Sequence, residues 1–174
     1  VAAALRVGSG MNTRLLYLAS APFEAAARVT VLAPGHRARG LHGHGYLASV
    51  RAASADGAEG LAARLAAAVA PLDYSYLNDT LEVPTDENVA RWIRARLADA
   101  RIESIGIQST REQGVDLDGA NRAHLWRRFR FEAAHRLPGV RAGHPCGRMH
   151  GHGFEVIVHL GEDLASRDMG VDYE

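Results

Sequence analysis

The sequence has no lysine, a single cysteine and few aromatic residues, 6% of its 174 positions. All 20 basic side chains are therefore arginine. Together with the abundant alanine, this reads as a G+C-rich coding bias and carries no functional content. One cysteine excludes a framework of intrachain disulfides and fits a reducing cytoplasm, the expected location. An excess of one charge sign is missing too. The 20 arginines are balanced by 20 acidic residues, which argues against a nucleic-acid partner held by a broad basic surface. No apolar run reaches the ~18–20 residues of a membrane span, so no membrane association is expected. The first ten residues are broken at Arg6 and lack the basic leader of a signal peptide, so they are set aside as a tail preceding Met11. The full chain is 47% hydrophobic, enough for the core of one domain or two small ones. It also carries nine histidines.

Those histidines are organised by an internal repeat. Residues 23–46 read FEAAARVTVLAPGHRARGLHGHGY, and residues 131–154 read FEAAHRLPGVRAGHPCGRMHGHGF. They align without a gap at an offset of 108. Phe23, Glu24, Arg28, Gly35, His36, His42, Gly43 and His44 recur as Phe131, Glu132, Arg136, Gly143, His144, His150, Gly151 and His152. Two chemically important positions differ: Ala27 stands opposite His135, and Ala38 opposite Cys146. The pattern is that of one intact site and one decayed site.

Strands are expected over 13–31 and 44–54, joined by a Gly/His-rich connection. A helix is expected over 59–72, where Leu61, Leu65, Ala68, Val69 and Leu72 form one stripe and Pro71 marks the exit. Pro84-Thr85-Asp86-Glu87 opens a second helix. Thr85 is its cap, the acids sit at the positive end of the dipole, and Val89, Trp92, Ile93 and Leu97 form the buried stripe. Further strands are expected over 103–110, 123–135 and 152–160. This order implies an α+β fold, an antiparallel sheet with helices on one face. A sheet of four strands leaves a face to be covered, which points to oligomerisation.

His150-Gly151-His152 puts two imidazoles on one face of a strand, because side chains at i and i+2 point the same way. His135 lies on the preceding strand and offers a third nitrogen across the sheet. Three neutral histidines without a fourth protein ligand suit a catalytic zinc, which keeps one position open; core or surface histidines are the bland alternative. Cys146 lies four residues before His150 in a loop with Gly143, Pro145 and Gly147. A thiol beside positive charge gains thiolate character and serves as general base or nucleophile; an inert buried cysteine is the other reading. His36 and His144 match across the repeat regardless of the cysteine, so neither is assigned to metal. His144 is taken as a loop or substrate contact, and His124 and His159 as solvated or strand-surface residues.

FEAAHRLP…GHPCGRMHGHGF resembles the signature of the 6-pyruvoyltetrahydropterin synthase / 6-carboxytetrahydropterin synthase family. The spacing Cys146-x3-His150-Gly151-His152 is closer to its bacterial 6-carboxytetrahydropterin branch. Leu72-Asp73-Tyr74-Ser75-Tyr76-Leu77-Asn78 and Pro84-Thr85-Asp86-Glu87-Asn88 resemble the family's Leu-Asp-His-x-x-Leu-Asn and Pro-Thr-x-Glu-Asn. The resemblance covers roughly residues 15–174. It implies the tunnelling fold, a ββααββ unit whose sheets join into an oligomeric barrel, as a homo-oligomer (trimer or hexamer). It implies zinc on His135, His150 and His152, with Cys146 as the proton-transfer thiol. The implied substrate is a small-molecule pterin, 7,8-dihydroneopterin triphosphate or a relative, on the route to 7-deazaguanines such as queuosine.

The sequence departs from the family at two places. Asp73-Tyr74 stands where the family has an Asp-His pair that meets the cysteine across a subunit interface, leaving Asp73 as the catalytic candidate. Ser109-Thr110 stands where a glutamate before threonine anchors the pterin ring, leaving Thr110 and Glu112 as the substrate-binding candidates. The expected organisation is a tail (1–10), a first copy with a decayed metal site (11–122) and the hairpin of a second copy (123–174). Either the second copy belongs to a longer tandem protein, or the helices between residues 57 and 128 serve the second hairpin in one rearranged unit. Two other functional readings compete with an enzyme: a non-catalytic pterin-binding or structural protein of this fold, and, more weakly, a metal store or sensor.

Overall fold

The computed structural model describes residues 2–7, 14–97 and 101–162. Its elements follow in the order β1 (Ala2–Val7), β2 (Arg14–Ala27), β3 (His42–Ala53), α1 (Gly57–Val69), β4 (Ser75–Tyr76), α2 (Asp86–Arg96), β5 (Arg101–Gln108), β6 (Gln113–Asp118), β7 (Ala123–His135) and β8 (His150–Glu162). The strands form one sheet in the order β1-β2-β3-β5-β6-β7-β8, with the short β4 pairing parallel to β2. Every other pairing is antiparallel. This is the expected α+β architecture. Three strands lie outside the expectation, the two-residue β4 (Ser75–Tyr76) and two longer ones. Residues 2–7, set aside as part of a tail, pair along β2 as β1. Residues 113–118, assigned to no strand, form β6, which carries the sheet from β5 into β7.

The two helices form where the sequence places them. Thr85 caps α2, its Oγ1 accepting from the Asn88 amide at 3.4 Å. Pro71 does end α1, within a single 3-10 turn over Ala70–Leu72. α1 packs on β2 and β3, and α2 on β5 and β6. Leu61, Leu65, Leu72, Leu77, Val89 and Ile93 are fully buried between these layers. Removing each large side chain from water contributes about 1.5–3 kcal/mol. No helix among the described residues is long and apolar enough to cross a membrane.

The repeat is preserved in backbone geometry. β2 and β3 pair with Ala27 opposite His42 and Tyr17 opposite Ala52. β7 and β8 pair with His135 opposite His150 and Leu125 opposite Leu160, the same register shifted by 108 in both strands. Phe23 stacks on Tyr46 with centroids 4.8 Å apart; Phe131 stacks on Phe154 at 5.1 Å. The environments differ. Ala21, Phe23, Tyr46, Ala48, Val50 and Ala52 are buried under the helices. Their counterparts Phe129, Phe131, Phe154, Val156, Val158 and Leu160 are 38–51% exposed. The outer part of β7–β8 thus carries a core face with nothing from the described residues packed over it.

Candidate metal and thiol centre

The β7–β8 pairing brings His135 directly opposite His150, and Ala133 opposite His152, so His152 lies diagonally across from His135 on the same face. Ligand atoms of the three histidines all lie within 4.8 Å of one another. The rings meet edge to face at centroid separations of 4.6, 5.0 and 4.9 Å. His150 Nδ1 stands 2.8 Å from the Arg148 carbonyl, which only accepts, so that nitrogen carries the proton and Nε2 is left as a lone pair. The Nε2 atoms of His135 and His150 are 3.1 Å apart. Two nitrogens each ~2.0–2.1 Å from one tetrahedral ion are about 3.3 Å apart, so this pair fits a shared zinc. The donor set agrees with it: three borderline-soft imidazoles, with no carboxylate or thiolate in the cluster among the described residues.

The first repeat keeps the tautomer device but not the site. His42 Nδ1 lies 2.9 Å from the Gly40 carbonyl. Ala27 is only 1% exposed, so the third ligand position is packed over. His44 packs against Tyr46 with the rings tilted and centroids 4.2 Å apart, and burial together with neighbouring His42 holds its pKa below the usual histidine value.

Cys146 sits in a 3-10 turn over Pro145–Gly147, half-buried. Two hydrogen bonds fix that turn. The Cys146 amide donates to His144 Nδ1 at 3.1 Å, and the Leu137 amide donates to the Cys146 carbonyl at 2.8 Å. Gly143, at φ +81°, supplies the left-handed residue that opens the turn. His144 is therefore a loop contact, and its counterpart His36 does the same for Ala38 at 3.1 Å.

Asp73 is not beside Cys146 in the chain. Its Oδ1 accepts from the Glu24 amide at 2.9 Å, against the first-repeat hairpin. Tyr74, at φ +51°, donates its amide to the Glu24 carbonyl and leaves its side chain 88% exposed. Four strand spacings separate β2 from β7, roughly 19 Å along the sheet. Thr110 and Glu112 lie exposed on the β5–β6 turn, where the Glu112 amide donates to Thr110 Oγ1 at 3.1 Å. The Arg128 amide donates to the Glu112 carbonyl at 2.6 Å, tying that turn to β7. His124 and His159 lie on strands, His159 exposed as expected, and each has an acid nearby. His124 Nε2 is 3.3 Å from Asp118, and His159 shares a cavity with Asp116, whose own pKa burial raises.

One acid in a largely enclosed setting escaped the sequence reading: Asp86 is half-buried and surrounded by buried groups. Ser109, 5% exposed, turns inward and donates to Asp86 Oδ2 at 2.5 Å. Burial pushes the Asp86 carboxyl up to about 7, the Ser109 bond opposes that, and Glu87 adds to it. As the first residue of α2, Asp86 was accounted for by the helix dipole, which would lower its pKa; enclosure outweighs that. The folded form therefore holds its proton above the ~3.9 of a free aspartate, and its contribution to stability is lost as pH rises toward 7. Asp86→Asn, whose carbonyl still accepts from Ser109, should raise stability at pH 8 by on the order of 2 kcal/mol and leave it nearly unchanged at pH 4. Thermal unfolding of both proteins at the two pH values checks this. An equal shift at both would contradict it.

The family model described as 6-pyruvoyl tetrahydropterin synthase matches this chain over residues 18–117 and 124–174.

Proposed function

The chain belongs to the 6-pyruvoyl tetrahydropterin synthase family of pterin-synthase enzymes, and we propose that it converts 7,8-dihydroneopterin triphosphate to 6-carboxytetrahydropterin or a related tetrahydropterin. The observation that carries this reading is the trio His135, His150 and His152 on one strand-pair face, with Cys146 pinned in the adjoining turn. His135, His150 and His152 would hold a zinc ion, which when bound would supply Lewis acidity. Cys146 moves the proton: its thiolate accepts one from a side-chain carbon and returns it at the neighbouring position. His144 and Leu137 hold the backbone of the turn that carries the thiol. Thr110 and Glu112 receive the pterin edge, with the carboxylate suited to a guanidine-like pair of donors.

The position of Asp73 against Glu24, far along the sheet from Cys146 in the same chain, supports a site completed between copies of the protein. A homo-oligomeric barrel of the trimer or hexamer kind would bring Asp73 of one copy to Cys146 of another. The equal register of the two hairpins and the match of the family model over two stretches support a tandem organisation. In this reading the bare apolar face of β7–β8 takes a helix pair of the α1–α2 kind. Synthesis of 6-carboxytetrahydropterin would place the protein on the route to 7-deazaguanine compounds.

The test is turnover of 7,8-dihydroneopterin triphosphate by zinc-loaded protein, with product identified by mass and metal measured in the same sample. A tetrahydropterin product supports the proposal. Zinc-loaded protein without turnover would leave the pterin-binding or structural reading.

A further inference from the structure

We infer that the loop between β7 and β8 is a phosphate-binding subsite, in which Arg136, Arg141 and Arg148 hold the polyphosphate group of the substrate next to the metal and thiol centre. A groove of about 680 Å³ is lined by Arg136, Arg141, His144 and Arg148 together with the loop's glycines. All three arginines are exposed, and no carboxylate among the described residues pairs with any of them. From Arg136 to His150 the sequence contains no acid, so this segment holds an unbalanced cluster of positive charge in a chain whose net charge is zero. Guanidinium groups favour phosphate oxygens because they present paired, charge-assisted donors. Gly139 and Gly143, both at positive φ, curve the backbone around the groove without a side chain to fill it.

The first repeat supplies an internal comparison. Its loop also has three arginines, Arg28, Arg37 and Arg39, so their number alone means nothing. Arg39 is spent on its own loop, donating to the carbonyls of Thr30 and Leu32 at 2.5 Å each. Arg37 is also engaged. At the positions of Arg141 and Arg148 the first repeat has Ala33 and Gly40, and these differences accompany the loss of His135 and Cys146 as Ala27 and Ala38. Arg141 and Arg148 therefore stand where the first repeat has no arginine, without a carboxylate partner among the described residues, in the hairpin that carries His135, Cys146, His150 and His152. Residues on both sides of Cys146 line the groove, and Arg148 links it to the histidine cluster, because its carbonyl meets His150 Nδ1 at 2.8 Å.

This inference rests on the proposed substrate only for the identity of the phosphate ester. Its probe is inorganic tripolyphosphate, titrated calorimetrically at fixed ionic strength into zinc-loaded protein. Arg141→Ala and Arg148→Gly, the first-repeat residues, are each expected to weaken tripolyphosphate about tenfold. Zinc content should be retained, and KM for dihydroneopterin triphosphate should rise with kcat within about twofold. Arg101→Ala removes one exposed arginine at the start of β5 and should bind as the parent does. Equal weakening by Arg101→Ala would reduce the effect to general charge and overturn the subsite. Unchanged binding in the two loop variants would overturn it as well. Arginine-dependent tripolyphosphate binding by a protein without pterin turnover would uphold the subsite while refuting the proposed reaction.

Discussion

His150→Ala is expected to strip zinc from the protein and abolish turnover together. His150 is the middle member of the trio: its ring meets His135 at 4.6 Å and His152 at 4.9 Å. Its Nδ1 is anchored to the Arg148 carbonyl. Removing it leaves two nitrogens, below the three protein ligands of a catalytic zinc site. Loss of an outer-shell partner alone typically costs 10–100-fold in metal affinity, so loss of a ligand itself should exceed about 100-fold. Dialysis against a zinc buffer followed by elemental analysis should give about one zinc per chain for the parent and less than about a tenth for the variant. His42→Ala, the equivalent change in the first repeat, should leave zinc content unchanged, because Ala27 has closed that site. Full zinc occupancy in His150→Ala would show that the ion is held elsewhere.

The legible part of this protein was local. Alternation along 150–152 put two histidines on one face, and a strand pair of any register near the observed one brings His135 into reach. Thr85 before a run of acids announced α2, and the stripe through Val89 and Ile93 gave its buried side. What escaped the sequence depended on contacts between distant residues. Asp86 has the same local pattern whether it is solvated or enclosed; only the approach of Ser109, 23 residues on, decides. β6 reads Gln-Gly-Val-Asp-Leu-Asp, which is polar and short, and becomes a strand because β5 and β7 flank it. Asp73 lies against Glu24 of the first repeat within its own chain, which is compatible with the expected meeting with the thiol across a subunit interface. The repeat itself was visible from sequence. The different burial of its two copies was not, because α1 and α2 cover only the first.

Cys146→Ala is expected to lower kcat by about 10²–10⁴ while zinc content and fold are unchanged, the range for loss of a positioned proton-transfer group. The usual objection to such a variant is that it disturbs the loop. Here the first repeat removes that objection. Ala38 occupies the equivalent position, and the same two backbone hydrogen bonds are made around it. The Ala38 amide donates to His36 Nδ1 at 3.1 Å, and Val29 donates to the Ala38 carbonyl at 2.9 Å. The corresponding bonds at Cys146 are 3.1 and 2.8 Å. Alanine therefore supports the turn as well as cysteine does, and the thiol contributes nothing that the backbone geometry requires. A loss of rate in Cys146→Ala with zinc retained then reports on the sulfur alone. Since an interaction made only in the transition state lowers kcat and kcat/KM equally, KM should stay within about twofold of the parent. Steady-state kinetics on zinc-loaded protein measure this directly. A variant that keeps its kcat would move the proton transfer to another residue, and a variant that loses zinc would show that the turn also secures the metal hairpin.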